Sequence, residues 1–234
     1  VLPNVASTDL HMVADDVSNG QNWASRASAD IAIRSGQPLV GNESPFYTNG
    51  LFAGTGFRKG ITQFNNGNYY VFPYNVSHVI TASQSITYEF IARAPHVTNT
   101  QTILSSYQAP NHNLDIKFEK IAGLWYVTAA INMTVVGCYT TQEVHPYAYS
   151  FIHVIWNAPT LTLYVGVNGY FNSSIGVGAP TGSVPTGLYI GLDGNLSNGL
   201  VNGHVLEIMR HRYSMPQSVA RDRINQFAGT RSIT

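Results

Sequence analysis

The 234-residue chain is poor in charge. Only 10% of its residues are Asp, Glu, Lys or Arg, against about a quarter in an ordinary soluble domain. Its twelve basic and twelve acidic residues cancel, and no basic arm or block occurs. A surface that follows a phosphate backbone needs such a block, so we expect no nucleic-acid partner. The same absence argues against a capsid protein that packages its genome through a basic tail.

Cysteine and long apolar runs are also scarce. Cys138 is the single cysteine, which excludes a disulfide within the chain and favours a small buried side chain. No apolar run approaches the roughly eighteen residues of a membrane span, and no signal peptide is evident, so we expect no membrane span. The chain begins at Val1, as either a processed terminus or loss of an initiator methionine would leave it, and both interpretations stay open.

Short alternating or apolar runs, separated by turn residues, fill most of the chain. This spacing, without helical patterns between the runs, predicts an antiparallel sandwich or barrel. No linker or repeat divides the sequence, so we expect one domain over residues 1–234, with residues 1–60 wrapping it as loops and short edge strands. The runs are roughly ITQF, NYYVF, SITYEFIARA, QTILSSYQ, NLDIKFEK, LWYVTAAIN, VVGCYTT, the segment 151–171, GLYIGLD and HVLEIMRH.

The most regular segment runs from Phe151 to Phe171 and contains almost no reactive side chain. Its first strand is apolar on both faces, which predicts that it is covered on both sides. Asn168-Gly169 predicts a tight turn, because both residues tolerate positive φ. The two faces of the first strand are Phe151, His153 and Ile155, and Ile152, Val154 and Trp156.

Residues 214–229 are the one helical pattern. Ser214 is suited to the cap, Pro216 is tolerated in a first turn, and Gly229 favours a stop. The spacing of the apolar residues predicts one buried stripe, with the charged residues largely outside it. The stripe consists of Ala220, Ile224 and Phe227, and the charged residues are Arg221, Asp222 and Arg223.

Four segments resemble, in order, one known superfamily. They are LHMVADDVSNGQNWASRASAD, ITQFNNGNYYVF, SFIHVIWNAPTLTLYVGVNG, and GLYIGLDGN followed by NGHVLEIMRHRYSMPQSVARDRINQF. Together they resemble the concanavalin A-like lectin/glucanase superfamily, in the laminin-G-like, pentraxin-like form common in bacterial and phage extracellular proteins. The resemblance implies an all-β jelly-roll sandwich of two antiparallel sheets with one short C-terminal helix. That superfamily includes lectins, hydrolases, adhesion modules and structural virion domains, so the fold does not decide the activity.

The residue pattern predicts no catalytic activity. A glycoside hydrolase needs two carboxylates, one of which holds a proton. Asp115, Lys117 and Glu119 share one strand face, but the lysine between the acids would keep both ionised, so we interpret this face as solvated. His153 lies in the buried hairpin with no evident carboxylate beside it, and we interpret it as a core residue.

Metal sites are weakly indicated. His204, Glu207 and His211 recur with a metal-like spacing, but on a regular strand they cannot converge without a bulge, so a structural role is preferred. Members of the resembling superfamily often bind calcium through loop oxygens, which Asp193, Asn195 and Asn198 could supply, as could Asp15-Asp16 with Asn19. A hard cation needs six to eight oxygens and these loops hold few carboxylates. We expect no cofactor, with calcium left open.

Binding residues are sought among tyrosines next to amides and hydroxyls, because a sugar needs an aromatic platform with polar donors and little charge. Tyr139, Tyr147 and Tyr149 meet this description, and the sequence does not separate a sugar contact from a protein contact. Tyr69 and Tyr70 fall where the superfamily places core aromatics and are excluded.

The sequence therefore predicts a non-catalytic binding or structural module. The preferred setting is a virion surface, as a phage decoration or tail protein attached to other surface proteins in an oligomer or assembly and able to recognise glycans. Low charge suits a docked protein, and we expect the sandwich to act without a catalytic partner domain. A secreted or cell-surface lectin-like module is the alternative, and a glycoside hydrolase is less favoured. The expected location is the virion surface or the extracellular space.

Overall fold

A computed structural model describes most of the strands and the C-terminal helix. The described residues are 7–18, 22–35, 46–48, 61–63, 69–73, 80–94, 100–108, 111–131, 138–139, 143–145, 148–175, 180, 187–192 and 203–230.

The structure is mostly β, as the sequence predicts. The strands are β1 (Thr8–Ser18), β2 (Asn22–Ser25), β3 (Ile31–Ser35), β4 (Phe46–Thr48), β5 (Ile61–Gln63), β6 (Tyr69–Pro73), β7 (Ile86–Arg93), β8 (Gln101–Gln108), β9 (Asn111–Ile121), β10 (Leu124–Ile131), β11 (Cys138–Tyr139), β12 (Tyr149–Asn157), β13 (Thr162–Val167), β14 (Tyr170–Ile175), β15 (Gly187–Ile190) and β16 (His204–His211), followed by helix α1 (Gln217–Thr230).

The strands form two antiparallel layers. The hydrogen-bonded order is β11-β10-β9-β8-β15-β6-β3-β2-β1-β16-β7-β12-β13-β14, with β5 joining β16 and β4 joining β5. We call β11, β10, β9, β8, β15, β6 and β3 the front layer, and β1, β16, β7, β12, β13 and β14 the helix layer. β1 lies between β16 and β2, so this part of residues 1–60 is an interior strand, contrary to the edge strands expected there.

The core lies between the layers and follows the period-two alternation of the strands. In β10, Trp125, Val127, Ala129 and Ile131 are buried, and the residues between them are more exposed. In β12, Ile152, Val154 and Trp156 enter the same core, whereas Phe151 and Ile155 belong to two smaller clusters that include residues of α1. The prediction that this strand is covered on both faces is confirmed.

Tight turns need residues that tolerate positive φ. Asn168 and Gly169 have φ of 51° and 88° and join β13 to β14, as the sequence predicts. Gly166 is required for a different reason: a Cβ there would lie 2.5 Å from Cε1 of Phe171. The absence of a side chain therefore lets the Phe171 ring lie directly on β13.

The C-terminal helix packs on the helix layer, but one predicted detail is wrong. α1 begins at Gln217, three residues after the predicted cap, and Ala220 and Ile224 pack on the sheet as expected. Arg221 and Asp222 are exposed. Arg223, expected largely outside, is only 4% exposed, because it reaches a buried carboxylate. Across the described ranges, no helix has the length and apolar character needed to cross a membrane.

Candidate functional site

A buried carboxylate joins the helix to the sheet. Glu89 of β7 accepts bonds from Nε2 of His153 at 3.0 Å and Nε2 of His211 at 2.7 Å. Arg223 of α1 donates to the same carboxylate, through Nε at 2.7 Å and Nη2 at 2.6 Å. A carboxylate can only accept, so both histidines must carry their proton on Nε2. His153 is buried as predicted, but it has the carboxylate neighbour that the sequence did not reveal.

This cluster is a structural anchor and not an acid–base site. Burial by itself raises the pKa of the Glu89 carboxyl, but the bonds from His153, His211 and Arg223 outweigh burial and hold that pKa well below its usual value. A carboxylate held ionised in this way cannot serve as an acid near neutral pH. All four side chains are buried, so the cluster offers no substrate an approach.

The predicted metal-like trio is divided among different partners. A bulge in β16 between Val205 and Glu207 shifts the strand register, yet the three side chains do not converge. Glu207 accepts from Nε2 of His11 at 2.8 Å, and His211 bonds Glu89, while His204 bonds Tyr149. Within the described residues, no three His, Cys, Asp or Glu side chains are grouped so as to hold a metal ion. The structural interpretation of the trio agrees with these partners.

The calcium candidates cannot be placed in the same way. Asp193, Asn195 and Asn198 lie outside the described residues. Of the second group, Asp16 accepts from Nη2 of Arg26 at 2.8 Å, so its carboxylate already has a cationic partner. Calcium binding therefore stays a prediction.

Tyr149 lies in a polar row at the end of the helix layer. The row crosses three neighbouring strands, because Arg93 of β7 pairs with Tyr149 of β12 on one side and His204 of β16 on the other. Arg93 Nη2 lies 3.0 Å from His204 Nε2, and His204 Nδ1 lies 2.8 Å from the Tyr149 hydroxyl. Tyr149 is thus half-buried and hydrogen-bonded, rather than a fully exposed platform.

For the other two predicted tyrosines the structure describes at most the backbone pairing. Tyr139 pairs with Thr128 at the edge of the front layer. Tyr147 lies outside the described residues. Of the three predicted binding residues, Tyr149 is the one whose side-chain contacts the structure describes, and these contacts include polar ones.

On the outward face of the front layer, Tyr69 and Asp115 differ from their sequence interpretations. Tyr70 is buried in the core as expected, but Tyr69 is half-buried on the outward face, where its ring centroid lies 5.9 Å from that of Tyr189. Asp115 is only 3% exposed and lies 3.3 Å from Nζ of Lys117, so this face is not simply solvated. Leu114, Ile116 and Phe118 do occupy the opposite, core face.

An open pocket of about 270 Å³ lies where α1 begins. Its lining holds one phenol ring, two amides and one hydroxyl, with no charged side chain, and consists of Asn157, Tyr164, Ser214, Met215, Pro216 and Gln217. The segment between β16 and α1 is held in place by Thr87, whose hydroxyl donates to the carbonyl of Tyr213 and accepts from the N–H of Met215. Sequence reasoning missed this pocket because its walls come from three separate segments.

Comparison with known proteins identifies fold neighbours but no family. No protein-family model matches the chain, and no curated protein matches it in sequence. The binding domain of Paraclostridial Mosquitocidal Protein 1 superposes with a TM-score of 0.68 at 10% identity, over 94% of this chain and 52% of that one. This chain therefore spans about half the length of that neighbour.

Two further neighbours come from carbohydrate-active proteins. Domain 4 of AbnA, a GH43 extracellular arabinanase from Geobacillus stearothermophilus, in complex with arabinotriose, has a TM-score of 0.66 at 12% identity, over 94% of this chain and all of that domain (100%). Trypanosoma rangeli sialidase has a TM-score of 0.64 at 13% identity, over 98% of this chain and 34% of the enzyme. At such identities the likeness shows the fold, a lectin-like β-sandwich. Membership of the laminin-G-like family stays a prediction.

Proposed function

We propose that the protein is a non-catalytic carbohydrate-binding module whose sugar site is the pocket at the start of α1. The observation that carries this proposal is the lining of the pocket, where the Tyr164 ring stands beside the amides of Asn157 and Gln217 and the hydroxyl of Ser214. Its volume is near the lower end of the range for small-molecule sites, about 300–1,000 Å³, which suits the short end of a saccharide.

The chemistry of the pocket fits a neutral sugar. A sugar ring presents C–H groups on one face and hydroxyls around its edge, so it needs an aromatic surface and paired donors and acceptors. Tyr164 lies on β13 and packs against Ile155, Met215 and Ala220, which fixes the plane of its ring. The site is held by strands and by the Thr87 bonds, so little ordering is needed when a ligand binds.

Two fold neighbours support the proposal. One is the binding domain of a mosquitocidal protein, and another is an arabinanase domain seen in complex with arabinotriose. The first is described as a binding domain and the second is bound to a sugar. Arabinotriose is therefore a suitable first probe beside a broad glycan array.

Replacing Tyr164 with alanine should weaken saccharide binding about tenfold or more, since truncating a central tyrosine at a binding site costs about 1.4 kcal/mol or more. Binding would be measured by calorimetric titration with the best saccharide from the array. The matched control is Tyr170→Ala on the neighbouring strand β14, because Tyr170 is 61% exposed and outside the pocket. A blank array, or equal loss in both variants, would contradict the proposal.

The absence of catalysis is part of the proposal. The strand face with Asp115 and Glu119 is the nearest to a hydrolase pair, and Lys117 lies beside the first of these acids. A hydrolase would release reducing sugar from the bound saccharide and lose that activity in Glu119→Gln, so the same saccharides should be incubated with both proteins. We expect no release from either.

Attachment to a larger assembly, such as a virion surface, is the second candidate function. It is favoured by the tip of the β9–β10 hairpin, where Ile121 and Leu124 are 38% and 44% exposed on either side of a two-residue turn. Two large apolar side chains that pair at an exposed hairpin turn suit the apolar centre of a protein contact. We propose the virion surface or the extracellular space as the location.

Changing both Ile121 and Leu124 to serine should shift the protein from an oligomer to a monomer if this tip holds an assembly together. The mass in solution, measured by light scattering after size-exclusion chromatography, checks this. Tyr170→Ser serves as the control because it removes a more exposed aromatic residue from another strand. A wild-type protein that is already monomeric at high concentration would exclude self-assembly through the tip.

A further inference from the structure

Arg93 is a cation that no carboxylate of the described residues neutralises. It ends β7 and is half-buried. Its Nη2 bonds the His204 ring, and its Nε is buried without any acceptor. Four other arginines each bond a carboxylate: Arg26, Arg210, Arg212 and Arg223. Arg93 therefore carries a full charge that no described carboxylate balances, and its buried Nε–H has no acceptor, which is an unfavourable arrangement.

The two described side chains that contact Arg93, those of His204 and Tyr149, cannot supply that negative charge. A guanidinium only donates, so His204 Nε2 must accept from Arg93, and the ring proton must lie on Nδ1, facing the Tyr149 oxygen. Burial, together with the charge of Arg93, lowers the pKa of His204 to about 3, so the ring is neutral at physiological pH. Burial raises the pKa of Tyr149 to about 12, so its hydroxyl keeps its proton. At physiological pH, the row of Arg93, His204 and Tyr149 therefore carries one positive charge, that of Arg93.

We propose that Arg93, flanked by Tyr149, binds the carboxylate of an acidic saccharide. The guanidinium is a planar set of donors that matches a carboxylate, and one positive charge balances one negative charge. The guanidinium carbon lies over the Tyr149 ring, 5.7 Å from its centre, so the aromatic ring helps to hold the charged group in position. A sulfate group offers related oxygens and is tested as a separate arm.

The acidic site is separate from the neutral-sugar pocket. Tyr149 is the first residue of β12 and Asn157 is the last, so about 26 Å of extended strand separates them at 3.3 Å per residue. The inference at Arg93 does not rest on the pocket at Tyr164. If the pocket fails to bind sugars, the Arg93 site can still be observed with an acidic probe alone, and the converse also holds.

The test compares two monosaccharides that differ in charge. Glucuronate should bind saturably to the full chain, glucose should bind at least tenfold more weakly to the Arg93 site, and raising the salt concentration should weaken glucuronate binding. NMR of the arginine side chains in the wild-type protein gives a readout that needs no variant: the Nε–H signal of Arg93 should shift with glucuronate and not with glucose. Glucose 6-sulfate is the probe for a sulfated sugar. If it bound more tightly than glucuronate, the assignment of a carboxylate ligand would be overturned.

Variants locate the binding. Arg93→Met should abolish the response to glucuronate, and Arg93→Lys, which keeps the charge without the planar donors, should weaken it about tenfold. Arg221→Met is the matched control, because Arg221 also lies over an aromatic ring, 5.5 Å from the centre of Phe171, but at a different place on the surface. An Arg93 signal that does not shift at saturating glucuronate, or that shifts equally with glucose, overturns the proposal, as does unchanged glucuronate binding by a folded Arg93→Met variant.

Discussion

Replacing Glu89 with glutamine should lower the free energy of unfolding by about 3–5 kcal/mol, the usual cost of removing one partner from a buried ion pair. The substitution keeps the size of the side chain but leaves the Arg223 guanidinium without its counter-charge in a buried place. His153 and His211 lose the same acceptor. Urea denaturation followed by tryptophan fluorescence measures the change, because Trp23, Trp125 and Trp156 are all buried.

A control variant, and the change of stability with pH, make the test of Glu89 specific. Glu143→Gln changes the same kind of residue at an exposed position and should alter stability by less than about 0.5 kcal/mol. Because the folded-state pKa of Glu89 is depressed, its contribution is present above the unfolded pKa of about 4.3 and is lost as the pH falls through the folded pKa. The gap between wild type and Glu89→Gln should therefore narrow in acid. A gap that is small at pH 7 or constant down to acid would contradict the anchor.

Replacing Trp23 with alanine should also cost about 3–5 kcal/mol, since it empties a large volume in a close-packed core. Trp23 is fully buried and meets Tyr70 edge-on, with ring centroids 5.5 Å apart. Its Nε1–H also donates to the carbonyl of Val13 at 2.8 Å, so the variant removes this buried hydrogen bond as well. The same urea titration gives the result.

Trp23→Phe separates packing from hydrogen bonding. It keeps most of the aromatic contact with Tyr70 and removes only the donor to Val13, so it should cost about 1–3 kcal/mol. If Trp23→Phe were as damaging as Trp23→Ala, the indole N–H and not the ring volume would be the main contribution. If Trp23→Ala were nearly neutral, Trp23 would not be the core residue that the structure shows.

The fold could be predicted from local patterns because each strand carries its own alternation. The hairpin strand at 151–156 is apolar on both faces and is indeed covered on both, and Asn168-Gly169 forms the expected turn. The helix position was found to within three residues at its start. In each case the information lies within about ten residues of sequence, so no knowledge of distant partners is needed.

The site could not be predicted in the same way, because its partners are far apart in the sequence. Glu89 and Arg223 are separated by 134 positions, and no spacing rule connects them. One signal was available: a lone acid inside the apolar run ITYEFIA must be paired if that strand is buried, which makes Glu89 conspicuous. Tyr69 was misplaced for a different reason, since the resemblance treated two adjacent tyrosines alike although alternate residues of a strand face opposite ways.

Helix α1 contributes to the pocket at one point and is bonded to the sheet at another, and this arrangement affects ligand affinity. Its first residue, Gln217, forms a wall of the pocket, while Arg223, less than two turns further on, is clamped to the middle of the sheet. A saccharide bound between Tyr164 and Gln217 would therefore stabilise the docked position of the helix by its own binding free energy. By linkage, any substitution that loosens the helix also lowers the fraction of molecules ready to bind, even if it touches no sugar.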